Sequence, residues 1–416
     1  MNHDITFGTD GNSFRYQLSG WSAVEKSFTW TGKSASHLLL PATMQSGPYL
    51  LELHVAPFSH KGGVSSRRLE TSVNGIQVGA SEVVRQARLA YVVADKIVRP
   101  REPIRLTFSF PDAAKPTDIL DSGAHPALTF SLSRLRLTTL PSNLIANVRR
   151  MTPILDRDMR VDSNAPDRYP APSPNLLQNI RKLTGLDASD LMLNFESLGQ
   201  SCEFGLLQRR CGAEPLGLFR FSSTFLDHLQ RGIDCGFVGL GESDSIGIHL
   251  TTHPTNPEFY VTEKNYELLY HTYIYAGSAT PDGVNAQQTR KLQFLKRKFL
   301  EDIQDGQKIF VRTCRREFNA AEEMIPLFMA LNRDRANTLL WVVYADESHP
   351  AGSVESIATG LFIGYIDTFA PEADASNLSV DVWLSICANA YVLLLEQRSR
   401  AESSASKIRS RESAIR

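Results

Sequence analysis

The hydrophobic pattern of this 416-residue chain changes character once, and that change constrains the fold more than any single motif. From residue 5 to about 140, short β-type runs such as HLLLP and YLLELHVAPF are separated by turn residues. Apolar residues alternate with polar ones at Leu51, Leu53 and Val55, and Asn74-Gly75 is a hairpin-turn signal. The pattern predicts an antiparallel β-sandwich, jelly-roll-like, over residues 1–140.

The second half of the chain carries a different pattern. Residues 141–185 include DSNAPDRYPAPSPN, and its prolines predict a Pro-rich linker. Over residues 186–395, β-type runs such as KIFVRT and TLLWVVYAD alternate with helical segments, which predicts an α/β domain with a mostly parallel sheet. Residues 396–416 lack apolar periodicity and are predicted to be a disordered tail. The predicted fold class is therefore a multi-domain α+β chain, because one hydrophobic core rarely grows beyond about 250–300 residues.

The charge balance and the cysteines exclude several classes of function. Lys and Arg number 44 against 45 acidic residues, so no global field favours nucleic acid. The N-terminus lacks a basic segment followed by an apolar run, and no stretch of about 18 apolar residues occurs, so we expect a cytoplasmic protein without a membrane span. The five cysteines form no CxxC pair, and His249 and His253 alone make a weak metal motif. We expect free thiols, no metal and no cofactor.

The segment NFESLGQSCEFGLLQRRCG carries the best candidate chemistry. It combines a short apolar strand, a turn at Gly199, and a helix predicted to begin near Cys202, with Ser201 as its cap and Gly212 at its end. A helix N-terminus stabilises a thiolate and lowers its pKa from about 8.5. Cys202 is thus the candidate nucleophile, and Gly199, Gln200 and Ser201 are candidate substrate-binding residues. The same N–H groups also bind phosphate, which keeps a nucleotide-sugar site open as an alternative.

The remaining cysteines are predicted to be small buried hydrophobic residues without a catalytic role. They are Cys211, Cys235, Cys314 and Cys387.

A family resemblance begins at the same stretch. SLGQSCEFGLLQRRCGAEPLGLFRF resembles the opening motif of a bacterial family of papain-like cysteine peptidases, a domain of uncharacterised function. EFYVTEKNYELLYHTYIY, KLQFLKRKFLEDIQDGQKIFVRT and NTLLWVVYAD are similar in order and spacing to the rest of that domain, over about residues 190–395. Family members occur near polysaccharide-biosynthesis genes. The segment GWSAVEKSFTWTGKSASHLLLP is similar to β-sandwich modules of bacterial glycan-assembly proteins.

The resemblance implies a Cys–His pair, with Cys202 as nucleophile and a histidine of the later motif as base. We assign the base to His271 in LLYHTYIY, and His249 and His253 in GIHLTTHP are its competitors.

The other polar candidates come from position along the chain. Asp346 follows the strand TLLWVVYAD and is a candidate orienting group, because strand C-terminal ends collect functional groups in open α/β sheets; Asp367 is an equal rival. Arg220 in LFRF is a candidate ligand for a substrate carboxylate or phosphate, with a buried ion pair as its alternative. In the front domain, Trp21 and Trp30 are candidates for stacking on a sugar ring.

Three functional hypotheses follow. The first is a thiol-dependent hydrolase or acyl transferase acting in polysaccharide biosynthesis. The second is a nucleotide-sugar-dependent transferase, and the third is a non-catalytic glycan-binding or scaffold protein. All three allow a glycan or glycan precursor as the partner.

Overall fold

The computed structural model of the chain describes residues 3–32, 34–44, 47–58, 67–111, 129–141, 144, 171–252, 256–316, 318–320, 322–371 and 374–415, with side chains as far as residue 403. These residues form two compact units. The first consists of Met1–Met151 with Asn319–Pro326, and the second of Thr152–Phe318 with Leu327–Arg416.

The first unit contains two antiparallel sheets. One has the order β3-β4-β11-β6-β9, with β1 also paired to β11, and the other has the order β2-β5-β10-β7-β8. The strands are β1 (His3–Thr6), β2 (Gln17–Ser19), β3 (Trp21–Val24), β4 (Thr29–Thr31), β5 (Ala35–Leu40), β6 (Tyr49–Pro57), β7 (Arg67–Val73), β8 (Ile76–Val83), β9 (Ala87–Val93), β10 (Ile104–Ser109) and β11 (Phe130–Thr139).

One hydrophobic core joins the two sheets, as a β-sandwich requires. Leu53 of β6 and Leu106 of β10 belong to the same cluster of buried side chains, and both are fully buried. The turn between β7 and β8 has positive φ at both central residues, 49° at Asn74 and 81° at Gly75, as a type I′ hairpin demands. The predicted antiparallel sandwich is confirmed.

A β-bulge in β11 explains an irregular apolar spacing. Leu132, Leu135 and Leu137 are all buried although the first two are three residues apart. The register of β11 against β6 shifts between Leu132 and Arg134, so one extra residue returns the next leucine to the core face.

The second unit contains a five-stranded sheet and a three-stranded sheet. The five-stranded sheet has the order β12-β16-β17-β19-β18, and the antiparallel three-stranded sheet has the order β13-β14-β15. Its strands are β12 (Phe195–Ser197), β13 (Ile246–Leu250), β14 (Glu258–Glu263), β15 (Leu268–Tyr275), β16 (Ile309–Thr313), β17 (Thr338–Tyr344), β18 (Val354–Ala358) and β19 (Leu361–Ile366). Its helices are α1 (Pro174–Thr184), α2 (Ala188–Met192), α3 (Glu203–Arg210), α4 (Leu226–Cys235), α5 (Pro281–Asp305) and α7 (Val380–Ile415). Helix α6 (Met324–Leu331) begins in the stretch Asn319–Pro326 that is assigned to the first unit and ends in the second.

The five-stranded sheet is mostly parallel, as predicted. β12, β16, β17 and β19 pair in parallel, and β18 joins the edge antiparallel. Every residue of β16 and β19 is buried, which is typical of parallel strands covered on both faces. Trp383 of α7 and Phe204 of α3 pack in one core cluster with Phe195 of β12, and the ring of Phe299 on α5 contacts Phe310 of β16.

Two predicted irregular segments are helical. Helix α1 occupies 174–184 at the end of the predicted linker, because Pro174 suits the first helical turn and Gly185 ends the helix at φ 75°. Helix α7 continues to Ile415 through the predicted disordered tail. The tail lacks an apolar face, but residues 380–416 contain no glycine or proline and are rich in helix formers. In those ranges the structure is helical where the sequence predicted irregular backbone, and residues 145–170 of the predicted linker lie outside the described residues.

Candidate functional site

A strained turn carries the chain from β12 into α3. Gly199 has φ 78° and the next residue, Gln200, has φ 99°, which is a costly backbone conformation for a residue with a side chain. The Gln200 side chain is held in place because its Oε1 accepts a hydrogen bond from Thr313 Oγ1 at 3.0 Å. The strain is therefore stabilised by contacts to the neighbouring strand β16, at its carboxyl end.

Cys202 is the N-cap residue of α3. The Ser201 Oγ accepts a hydrogen bond from the Glu203 N–H at 3.4 Å, and Gly212 has φ 79° just beyond the end of the helix. The predicted start and end of this helix are confirmed. The thiol stands where β12 has ended and α3 begins, at the carboxyl edge of the parallel sheet.

The first turn of α3 is fixed by a buried carboxylate. Glu203 Oε1 accepts hydrogen bonds from the Ala370 N–H at 3.0 Å and the Trp383 Nε1–H at 2.9 Å. Glu203 Oε2 lies 2.8 Å from an Nη2 of Arg315, which also donates to Ser201 Oγ at 3.3 Å. Burial raises the pKa of Glu203, and the Arg315 charge and these donors oppose that rise. The network locks the residues on both sides of Cys202.

A cavity of about 600 Å³ opens in front of this turn. Cys202 lines it together with Gln200 and Ser201, and Arg315 lies on the same wall. Five residues of the three-stranded sheet line it as well, among them Tyr260 and His271. The fold therefore brings the predicted nucleophile and the predicted base into one cavity, although they are far apart in the sequence.

His271 has an acidic neighbour that sequence reasoning missed. Its Nδ1 lies 3.3 Å from Oε2 of Glu258 on the adjacent strand β14. The other carboxylate oxygen of Glu258 accepts the Tyr273 N–H at 2.6 Å. The His271 side chain is 60% exposed and that of Glu258 only 13%, so the imidazole faces solvent and its partner lies behind it.

His249, one of the two competing histidines, does not take this place. His249 stacks on the Tyr260 ring, and its Nε2 lies 2.9 Å from Thr262 Oγ1. It is absent from the residues that line the cavity. His253 lies outside the described residues.

The structure places the predicted orienting acids elsewhere. Both oxygens of Asp346 lie close to Nδ1 of His349, at 2.8 and 3.0 Å, and the His349 ring stacks on Tyr365. Hydrogen bonds from this loop hold the pKa of Asp346 low. Asp367 is exposed and accepts the N–H of its neighbour Thr368 at 2.7 Å. Neither carboxylate lines the cavity. A place at the end of a parallel strand predicts that a residue lies at the carboxyl edge of the sheet, but it does not predict where along that edge the residue lies.

Arg220 and Gly199 also have structural partners in place of a substrate. The guanidinium of Arg220 is buried, and its Nη1 donates to Glu214 Oε2 at 2.6 Å. Its Nη2 donates to the carbonyl oxygens of Gly205 and Ala213. The Gly199 N–H donates to Ser197 Oγ at 3.2 Å. Arg220 therefore forms an ion pair, as the alternative prediction had it, and its partner is Glu214.

The pKa of the Cys202 thiol is shifted in the direction opposite to the prediction. Burial raises its pKa, whereas the position at a helix N-terminus predicts a lower pKa. Helix α3 is only two turns long, and its first residue, Glu203, is a carboxylate. Desolvation therefore outweighs the helix dipole.

The other cysteines are free thiols and lie away from the cavity. Cys211, Cys314 and Cys387 are buried, as predicted, and burial raises the pKa of Cys211 to about 12. Cys235 is exposed, which the prediction missed, and its Sγ lies 3.3 Å from the Tyr266 hydroxyl.

In the first unit, the two candidate tryptophans have different environments. Trp21 packs against Phe7 and Phe108, and its Nε1–H donates to the His37 carbonyl oxygen at 2.9 Å. Trp30 is half-buried and makes edge-on contacts with two further aromatic rings, Phe28 and Phe58. Both indoles are half-buried, but Trp21 packs against the core cluster of this unit, whereas Trp30 contacts the rings of Phe28 and Phe58.

The described part of the chain contains no group of three or more His, Cys, Asp or Glu side chains arranged to hold a metal ion. Within the same residues, no helix combines the length and apolar character that crossing a bilayer requires.

The chain was compared with protein families, with curated proteins and with solved structures. No family model matches the chain, and no curated protein matches it. Among solved structures, the chain is similar to the C-terminal CBM6 of LamC, a marine laminarinase from Zobellia galactanivorans, at 12% identity and a TM-score of 0.22, covering 33% of this chain and 100% of that one. It is also similar to the CBM36-1 domain of a multidomain xylanase from the hindgut metagenome of Trinervitermes trinervoides, at 6% identity and a TM-score of 0.22, covering 34% and 99%.

A third similar structure is a CBM35 from Paenibacillus barcinonensis, at 12% identity and a TM-score of 0.18, covering 34% of this chain and 92% of that one. Each likeness concerns about a third of the chain, and the TM-scores are too low to assign a function.

Proposed function

We propose that the chain is a thiol-dependent hydrolase or acyl transferase, with Cys202 as nucleophile and His271 as general base. The observation that carries this proposal is the shared cavity, which the strained turn lines with Cys202 and the three-stranded sheet lines with His271. A nucleophile and a base from separate elements, facing one cavity, with a third group behind the base, is the arrangement that covalent catalysis needs.

The raised pKa of Cys202 sets the order of events that we propose. The thiol is neutral in the free protein, so His271 removes its proton as Sγ attacks the carbonyl carbon of an acyl donor. A C–S bond forms, and the bond to the leaving group breaks when His271 returns the proton to that group. Water or an acceptor hydroxyl, deprotonated by His271, then attacks the thioester carbonyl carbon. The C–S bond breaks, the acyl group leaves on the new oxygen, and His271 returns the proton to Sγ, which restores the thiol.

The acceptor or donor that we propose is a bacterial polysaccharide precursor in the cytoplasm. The resemblance of the SLGQSC segment suggests this context, and the five free cysteines suit a reducing compartment. The nucleotide-sugar alternative has less support. Glu203 places a carboxylate in the first turn of α3, where a phosphate would bind, and it neutralises the charge of Arg315.

The test is acylation of the protein by p-nitrophenyl acetate, followed by release of p-nitrophenol and by mass spectrometry of the cysteine peptides. We expect one acetyl group on Cys202, and loss of that product in Cys202→Ala. We expect His271→Ala to slow the reaction by about 10²-fold or more. Cys235→Ala and His249→Ala are matched controls, because Cys235 is an exposed thiol elsewhere and His249 lies on β13 of the same sheet but does not line the cavity. The proposal is contradicted if acetylation persists in Cys202→Ala. It is also contradicted if the two control variants slow acetylation as much as His271→Ala does.

A second candidate function is glycan binding by the first unit, and Trp30 is the observation that favours it. A half-buried indole beside Phe28 and Phe58 leaves an apolar ring surface of the kind that stacks on sugars. We expect xylotriose or laminarin oligosaccharides to bind the protein in calorimetric titrations, and Trp30→Ala to abolish that binding. Trp21→Phe keeps the packing contacts of Trp21 and is the control. An absence of binding, or equal binding by the Trp30 variant, excludes this candidate.

A further inference from the structure

We propose that Glu258 is the positioning residue of the site: one carboxylate oxygen fixes the His271 ring, and the other holds the β-bulge that directly follows His271 on β15. This inference rests on the proposed function. It assigns to Glu258 the role that the sequence assigned to Asp346.

The bulge sets which residue of β14 lies opposite His271. Phe259 of β14 pairs with Ile274 of β15, but the next residue, Tyr260, pairs with His271, so two residues of β15 have no partner across the ladder. In an unbroken ladder His271 would lie opposite Thr262. The bulge moves it by two residues, roughly 6.6 Å, to lie opposite Tyr260. In the observed register His271 lies opposite Tyr260, and both residues line the cavity, as do Leu269 and Tyr270, which precede His271 on β15.

The bulge needs support, because it contains a strained residue. Tyr273 has φ 58°, a left-handed conformation that costs about 1 kcal/mol or more for a non-glycine residue. Two side chains satisfy the backbone groups that the ladder leaves unpaired. Glu258 Oε1 accepts the Tyr273 N–H at 2.6 Å, and the Thr272 hydroxyl donates to the Phe259 carbonyl oxygen at 2.5 Å.

The second oxygen of Glu258 determines which nitrogen of His271 carries the proton. A carboxylate accepts hydrogen bonds and cannot donate them, so the nitrogen 3.3 Å away, Nδ1, carries the hydrogen in the neutral ring. Nε2 is then the nitrogen with a lone pair, and it is the one able to accept a proton from a thiol. The Glu258 side chain is 13% exposed, whereas the His271 side chain that it contacts is 60% exposed, so Nε2 stays accessible from solvent.

The two roles make Glu258→Gln a decisive variant. Glutamine has nearly the shape of glutamate but one acceptor oxygen where glutamate has two. The shorter bond, from the Tyr273 N–H at 2.6 Å, keeps the amide oxygen, so the NH₂ group takes the place facing His271 and donates to Nδ1. Thr272→Val is the matched control, because it removes the other hydrogen bond of the bulge and leaves the contact between Glu258 and His271 in place.

The experiment combines ¹⁵N spectra of the histidine rings of the full-length protein with the acetylation rate at Cys202. We expect His271 of the unmodified protein to be the Nδ1–H tautomer. In Glu258→Gln we expect a shift toward the Nε2–H tautomer and a rate lower by about 10- to 100-fold. Thr272→Val is expected to keep the tautomer and to lose less rate.

The outcomes separate this inference from the function on which it rests. An unchanged His271 tautomer in folded Glu258→Gln overturns the positioning role, even where Cys202→Ala still abolishes acetylation. Equal slowing by Thr272→Val and Glu258→Gln with the tautomer intact in both also overturns it, because the bulge alone would then matter. The spectra need no activity, so they test Glu258 even where acetylation at Cys202 is not observed and the proposed function fails.

Discussion

At the scale of single residues, the thiol of Cys202 gives the first prediction. Because burial raises its pKa, the thiol is protonated near neutral pH. We therefore expect alkylation of Cys202 by iodoacetamide to have a pH midpoint above about 8.5, the value of a free cysteine. Peptide mass spectrometry across a pH series measures this, with the exposed Cys235 as a reference within the same molecule. A midpoint well below 8.5 would mean that a nearby positive charge outweighs burial.

Glu196 gives a second prediction at this scale, on stability. It is buried on β12, and burial raises its pKa to about 8. In the unfolded chain a glutamate titrates near pH 4.3, so the folded state binds the additional proton between about pH 4.3 and 8. This contribution to stability is complete below pH 4.3 and is lost as the pH rises through 8, by at most about 1.4 kcal/mol per pH unit.

Glu196→Gln keeps the group neutral at every pH. We expect its free energy of unfolding to equal that of the natural chain near pH 4.5 and to exceed it by roughly 2–4 kcal/mol at pH 8. Urea denaturation at the two pH values measures the difference. An equal advantage at both pH values would show that shape or hydrogen bonding, and not titration, distinguishes the two side chains.

The sequence could predict some residues of the site and not others, for a physical reason. Cys202 at a helix start and Gly212 at its end follow from local rules of turns and caps. Glu258 and Arg315 act through partners that tertiary structure supplies, since Arg315 reaches Ser201 across 114 positions of the chain. The role of Glu258 also depends on a two-residue register shift, which a periodic pattern does not reveal.

At the scale of secondary structure elements, the long helix α7 is tied to the sheet by a glutamine. Gln397 Oε1 accepts the Gly360 N–H at 2.9 Å, and its Nε2 donates to Ser356 Oγ at 3.0 Å. We expect Gln397→Ala to lower the free energy of unfolding by about 0.5–1.5 kcal/mol, because the bonds are lost and a half-buried N–H loses its acceptor.

Glu396→Ala is the control for this helix. Glu396 makes an exposed ion pair with Arg400 one turn away, so its loss should cost at most about 0.5 kcal/mol. Denaturant unfolding of both variants compares the two effects, and hydrogen exchange at Gly360 reports the lost acceptor directly. Equal losses in the two variants would mean that helix propensity alone matters here.

The secondary structure elements that the sequence predicted correctly are those that local sequence signals identify. The hairpin at Asn74-Gly75 and the parallel strands were predictable, because turn residues and continuous apolar runs identify them. The C-terminal part of α7 was not, because it has helix propensity but no apolar stripe, and patterns alone detect only a helix that buries a face.

At the scale of the whole molecule, the two units have separate cores, and the candidate site lies in the second. Every residue that lines the cavity belongs to that unit, and the support from Glu203 and Glu258 comes from it as well. The two-part architecture was visible in the sequence because the apolar period changes with the fold class.

This division makes a final prediction, with two matched core variants. Leu53 is fully buried in the core of the first unit, and Leu340 is fully buried in a core cluster of the second. Each Leu→Ala change removes the same atoms and should cost about 2–5 kcal/mol in its own unit. We expect Leu340→Ala to lower the temperature at which acetylation of Cys202 is lost. Leu53→Ala should leave the acetylation rate unchanged while the second unit is folded, as monitored by circular dichroism. A reduced rate in Leu53→Ala at low temperature, where both units are folded, would contradict this prediction.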